Sequence, residues 1–209
     1  SGSKAACPTC PSPILLTARR RVFCASLADV FDNEVDPIWR VELMDLIRTT
    51  QNMDWLLLTK RIGNVMPLIE QCIKRIEAMP DWGQDEKPHR FEPLRDWLAN
   101  WVVLRQPPGN VWLGATICNQ AEADRDIRKL LAVPAAVRFL SIEPMLGPIN
   151  LHLGRNQGVN WVIAGGESGP NARPMHPDWV RSLRDQCRIA SVQFLFKQWG
   201  EWLAADEDE

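Results

Sequence analysis

Six short apolar runs recur along the chain, at 22–27, 55–59, 111–116, 137–142, 161–165 and 193–197. Several, such as Trp55-Leu-Leu-Leu and Trp161-Val-Ile-Ala164, are continuous and do not alternate. That is the pattern of strands covered on both faces, as in parallel sheets. Most are followed by a polar or glycine-containing loop and then by a segment of helical periodicity. Strand and helix taking turns in this way predict a parallel sheet with helices outside it. No dinucleotide-binding glycine pattern follows the first run, which weighs against an open doubly wound sheet. Six units also fall short of the eight of a complete barrel. The expected fold is an α/β, partial parallel (β/α) barrel of about six βα units with a helical insertion.

The helices have readable starts. Pro37 opens one whose expected apolar stripe is Trp39, Leu43, Met44, Leu46 and Ile47. A second is expected from about Asn64 to Ala78, with Val65, Ile69, Cys72, Ile73 and Ile76 on one face. Asn119 and Glu122 have the spacing of a capping box, and Pro177 opens a helix carrying Val180, Leu183 and Cys187. Residues 80–109 break the rhythm, and Leu94, Trp97, Leu98 and Trp101 predict an added amphipathic helix there, packed on the barrel or serving as a lid or partner surface. The expected division is an N-terminal segment over 1–21, a barrel domain over 22–203 with its insertion at 80–109, and an acidic tail over 204–209.

A chain of 209 residues with a formal charge of −2 has room for one sizeable core and gives no global reason to expect nucleic acid as a partner. No apolar run approaches the length of a membrane span, so no membrane association is expected. No secretory signal is visible, so a cytoplasmic location is expected. The six cysteines, without such a signal, do not predict a disulfide framework. Cys24, Cys72 and Cys187 fall in a strand or on apolar helix faces, where they act as small hydrophobes. Cys7-Pro-Thr-Cys10 has the spacing of half a metal site, without a second pair to complete it.

In a parallel barrel all strands point one way, and residues just past their carboxyl ends share one rim where sites are built. Ser26, Asp29, Lys60, Thr116, Glu143, Gly165, Gly166, Glu167, Ser168 and Lys197 all sit at such ends. They are the expected ligand-binding residues, and a small molecule at the barrel mouth is the expected partner. The two glycines of Gly165-Gly166-Glu167 allow a sharp turn and close approach of backbone to a ligand; the plainer reading is a tight turn with a solvated carboxylate. Cations and carboxylates mixed in one concavity hold each other charged, and they suit a zwitterionic ligand. An internal salt-bridge network closing the barrel top is the structural alternative.

The motifs Arg21-Val-Phe-Cys-Ala-Ser-Leu-Ala-Asp-Val-Phe31, Leu57-Leu-Thr-Lys-Arg61, Asn110-Val-Trp-Leu-Gly114, Arg138-Phe-Leu-Ser-Ile-Glu-Pro-Met-Leu-Gly-Pro148, Gly165-Gly-Glu-Ser-Gly-Pro-Asn-Ala-Arg-Pro-Met175 and Phe196-Lys-Gln-Trp-Gly200 occur in this order. They resemble the phage-associated three-cysteine-motif family, which is grouped with radical SAM-like barrels and whose function is unsettled. The resemblance implies a partial barrel in which three cysteines near the N-terminus hold a [4Fe–4S] cluster and S-adenosylmethionine binds its open iron. Cys7 and Cys10 are the metal-ligand candidates here, and with only two of them the chain as given is expected to hold no complete cluster. Two alternatives stand beside this reading. One is a barrel hydrolase using Glu143 and Glu167 as paired carboxylates, which needs a separation of roughly 5–9.5 Å. The other is a ligand-binding barrel without catalysis.

Overall fold

The computed structural model describes residues 5–6, 13–14, 19–24, 28–79, 90–154 and 158–202. Two short strands, β1 (Ala5–Ala6) and β2 (Pro13–Ile14), pair antiparallel. The main sheet contains β3 (Arg20–Cys24), β4 (Met53–Thr59), β5 (Val111–Thr116), β6 (Val137–Ile142), β7 (Trp161–Gly165) and β8 (Gln193–Gln198). All six are parallel, and their spatial order is their chain order. This is the half-barrel that the alternating pattern predicts. The first strand begins earlier than expected, at Arg20, and 25–27 lie outside the described residues.

The sheet curls strongly. The Phe23 and Phe139 rings lie 6.5 Å apart although β4 and β5 run between their strands. In a flat sheet those two strands would stand about 14 Å apart. Gly114 makes the closure possible, because Phe139 lies over it and a Cβ there would overlap the ring. The convex face carries Leu57, Leu113, Leu140, Ile142, Val162 and Ala164, all buried in the main core under the helices. The concave face holds a separate cluster of Leu56, Phe139 and Ile163, with Leu58, Trp112 and Trp161 packed against it.

Helix α1 (Pro37–Thr49) is capped by the Asp36 side chain, which accepts from the Ile38 N–H. Its buried face is Arg40, Val41, Met44 and Ile47, whereas Trp39 is 67% and Leu46 48% exposed. The expected stripe is thus rotated, and Arg40 is the cause. Its guanidinium donates to the Val30 and Asp32 carbonyl oxygens at 2.9 and 2.8 Å and to Gln71 Oε1 at 3.2 Å. A charge so satisfied is cheaper to bury than the apolar count alone allows.

A short 3₁₀ turn (Ile62–Asn64) leads into α2 (Val65–Glu77), which buries Val65, Leu68, Ile69, Cys72 and Ile76. Helix α3 (Glu92–Val102) packs on α1 and α2. Leu94, Leu98 and Trp101 are fully buried, and Trp101 Nε1 donates to the Pro134 carbonyl at 2.7 Å. The added helix is therefore part of the core.

Helix α4 (Gln120–Ala132) has the predicted cap in altered form: Asn119 accepts from the Glu122 N–H, but Glu122 accepts from Cys118 N and not from Asn119 N. No helix lies between β6 and β7 among the described residues. Instead, two glutamines staple the connecting loop. Gln120 of α4 brackets Asn150 through its backbone N–H and carbonyl, and Gln186 of α5 (Pro177–Ala190) brackets Ile149 and Leu151 in the same way. Met145, Ile149 and Leu151 fill the core beneath. Among the described residues, no helix is long and apolar enough to cross a membrane.

Candidate functional site

The carboxyl ends of the strands carry three bonded groups of polar side chains. The first joins the loop after β3 to the end of β4. Asp29 Oδ2 accepts from Thr59 Oγ1 and from the Lys60 N–H, both at 2.9 Å, and Asp29 Oδ1 accepts from the Phe31 N–H at 2.9 Å. Arg61 adds an ion pair to Asp32 at 3.0 Å and a longer one to Asp29 at 3.7 Å. Asp29 is thus a brace that fixes where Lys60 leaves the strand. The Lys60 side chain is exposed, and its ammonium has no ion-pair partner among the described residues.

The second group centres on Glu143, which directly ends β6. Lys197 Nζ donates to its two oxygens at 2.9 and 3.0 Å, and Gln198 Nε2 donates to Oε1 at 3.2 Å. Neighbouring residues on a regular strand point to opposite faces. Here both reach the same carboxylate because β8 bulges, with Ala164 opposite Phe196 but Gly165 opposite Gln198. Gln198 also donates to Ser168 Oγ at 3.1 Å. Gly165 leaves room for the group, since a Cβ there would stand 3.2 Å from Glu143 Oε1.

The third group is Glu167 with Arg173. Arg173 donates from Nε and NH2 at 2.7 and 2.6 Å, and its backbone N–H adds a third bond at 2.8 Å. These bonds hold the Glu167 carboxyl well below the usual carboxylate range, at about 2. Around this pair the loops after β7 and β8 clasp each other. Gly166 N–H donates to the Gln198 carbonyl, Glu201 N–H to the Glu167 carbonyl, and Trp202 Nε1 to the Ala172 carbonyl. The approach is so close that a Cβ on Gly166 would overlap the Trp199 carbonyl oxygen, and one on Gly200 the Glu167 carbonyl oxygen.

Thr116 is buried at the end of β5, paired with Ser141 of β6. By alternation with Trp112 and Gly114 it belongs to the concave face. Ser26, Cys7 and Cys10 lie outside the described residues. The residues that sequence reasoning missed are Arg173 and Cys118. Cys118 follows β5, and burial and Glu122 push its thiol pKa up while Lys60 and Arg173 pull it down. Cys118 thus lies within electrostatic reach of Lys60, just past β4, and of Arg173 in the loop after β7. Cys24, Cys72 and Cys187 behave as packed thiols, with burial pushing the last two to about 11. Among the described residues, no group of three or more His, Cys, Asp or Glu is placed to hold a metal ion.

No curated protein and no solved structure matches the chain. One family model does, over residues 5–209, and its description is "Protein of unknown function (DUF5131)". A match of that extent covers every strand and helix described above, and the chain belongs to this uncharacterised family.

Proposed function

We propose that the carboxyl rim of this half-barrel binds a zwitterionic small molecule, and that the chain is the barrel of a radical SAM-like protein of phage or prophage origin. The zwitterion would be the methionyl part of S-adenosylmethionine. The observation that carries the reading is the Glu143–Lys197 pair, bonded at 2.9 Å at the mouth of the concave face. A ligand ammonium takes the place of Nζ on Glu143, and the ligand carboxylate takes Lys197. The exchange leaves no charge unpaired, which avoids the penalty of a lone desolvated charge. Gln198 keeps Glu143 in place through its own hydrogen bond. Lys60, whose ammonium has no ion-pair partner among the described residues, is the further cation available to an anionic part of the ligand.

An iron–sulfur cluster, when bound, supplies radical chemistry to such a site. Cys7 and Cys10 are the residues that would ligate it, and Cys24 is poorly suited because burial raises its thiol pKa. Anaerobic reconstitution of the chain as given is expected to leave iron well below the roughly four atoms of a cubane cluster. About four irons, lost on Cys7→Ser or Cys10→Ser, would contradict this. The hydrolase reading needs one carboxyl as acid and one ionised, and the Arg173 bonds to Glu167 suit it only for the ionised role.

Equilibrium dialysis tests the zwitterion. S-adenosylmethionine and S-adenosylhomocysteine are expected to be retained, and analogues lacking the amine or the carboxylate to be lost. Equal retention of all four would refute the reading.

A further inference from the structure

The concave face carries a second feature, far along the strands from the polar rim. Phe23, Phe139, Trp161 and Trp112 form a chain of ring contacts with centroids 6.5, 5.9 and 6.3 Å apart. The chain is not sealed at its edge, since Phe23 on β3 is 45% exposed. At the amino end of the same strand face, the Arg21 guanidinium lies 4.6 Å over the Trp112 ring. Arg21 has no carboxylate partner among the described residues. A guanidinium seated over an indole face and without a carboxylate partner has N–H donors to offer an oxyanion.

Arg21 and Phe23 are two residues apart on one strand and on one face, roughly 7 Å from each other along it. A half-exposed aromatic ring beside an arginine that has no carboxylate partner among the described residues is the arrangement that takes a base on the ring and its phosphate on the cation. The formal charge of −2 for the whole chain disfavours a long polyanion. We propose that this part of the concave face binds a nucleoside monophosphate, with the base against Phe23 and the phosphate on Arg21. The site shares no residue with the Glu143–Lys197 rim and goes beyond that reading.

Isothermal titration calorimetry of the full chain with AMP and GMP tests it, with adenosine and indole-3-acetate as comparisons. Saturable 1:1 binding of a monophosphate is expected. Arg21→Gln and Phe23→Ala are each expected to weaken it by roughly tenfold or more. Arg21→Lys, which keeps the charge but loses the stacked fork, should also weaken it. Glu143→Gln should leave it unchanged, so failure here and failure of the rim reading are separable. Arg21 is exposed, so Arg21→Gln should melt close to wild type and its loss of binding is read apart from any destabilisation by Phe23→Ala, whose ring packs on Phe139. The proposal is overturned by absence of saturable binding, by adenosine binding as tightly as AMP, by indole-3-acetate binding more tightly than either nucleotide, or by indifference to both substitutions.

Discussion

Glu167 accepts three hydrogen bonds from a single residue, Arg173, and its chemistry is set by that. Its folded pKa of about 2 lies below the ordinary value of 4.5. The stabilisation from the pair is therefore fully present above about pH 4.5 and lost as pH falls through about 2. Melting curves of wild type and Glu167→Gln should differ at neutral pH and converge on acidification across that window. A difference that grows towards acid would contradict the assignment. Gly166 makes the complementary case for backbone. Gly166→Ala would force apart the two clasped loops, and the expected result is a lower melting temperature together with loss of ligand binding at the rim. None of this bonding was legible in the sequence. The Gly-Gly-Glu pattern marks a tight turn, but nothing in it names an arginine six residues on as the partner.

Among the elements, α1 shows most clearly what periodicity misses. Its sequence offers two apolar stripes, and the choice between them rests on whether Arg40 can be satisfied inside. The carbonyls of Val30 and Asp32 satisfy it, so Trp39 and Leu46 turn outward. Arg40→Ala should cost about 1–3 kcal/mol for each carbonyl left unpaired, whereas Trp39→Ala should stay within about 0.5 kcal/mol. Urea unfolding of the two variants checks this, and the reverse order would show that the apolar count had been the better guide. Helix α3 was legible, because Leu94, Leu98 and Trp101 keep helical spacing and all three are buried. Trp101→Ala should cost about 3–5 kcal/mol, a value a mobile lid would not show. The β8 bulge was not legible. It arises from pairing with β7, and it alone explains how Lys197 and Gln198 both reach Glu143.

For the molecule as a whole, continuous apolar runs such as Trp55-Leu-Leu-Leu encode strands covered on two faces, and that is why the parallel half-barrel could be read from the chain. The covering differs between faces: helices outside, aromatic rings inside. The inner closure depends on Phe139 lying over Gly114. Gly114→Ala should cost about 1–3 kcal/mol through overpacking, read as a shifted unfolding midpoint. The rim was legible as a location, since strand direction alone gathers Lys60, Glu143 and Lys197 at one end. The division of its charges into Asp29-, Glu143- and Glu167-centred groups was not. The central claim, a zwitterion site at Glu143 and Lys197, is tested most directly by calorimetric titration of S-adenosylmethionine into wild type and Glu143→Gln, with melting temperatures recorded for both. The account predicts saturable binding weakened by roughly tenfold or more in the variant, with little change in melting temperature. A large fall in melting temperature with unaltered binding, or no binding to the wild type, would contradict it.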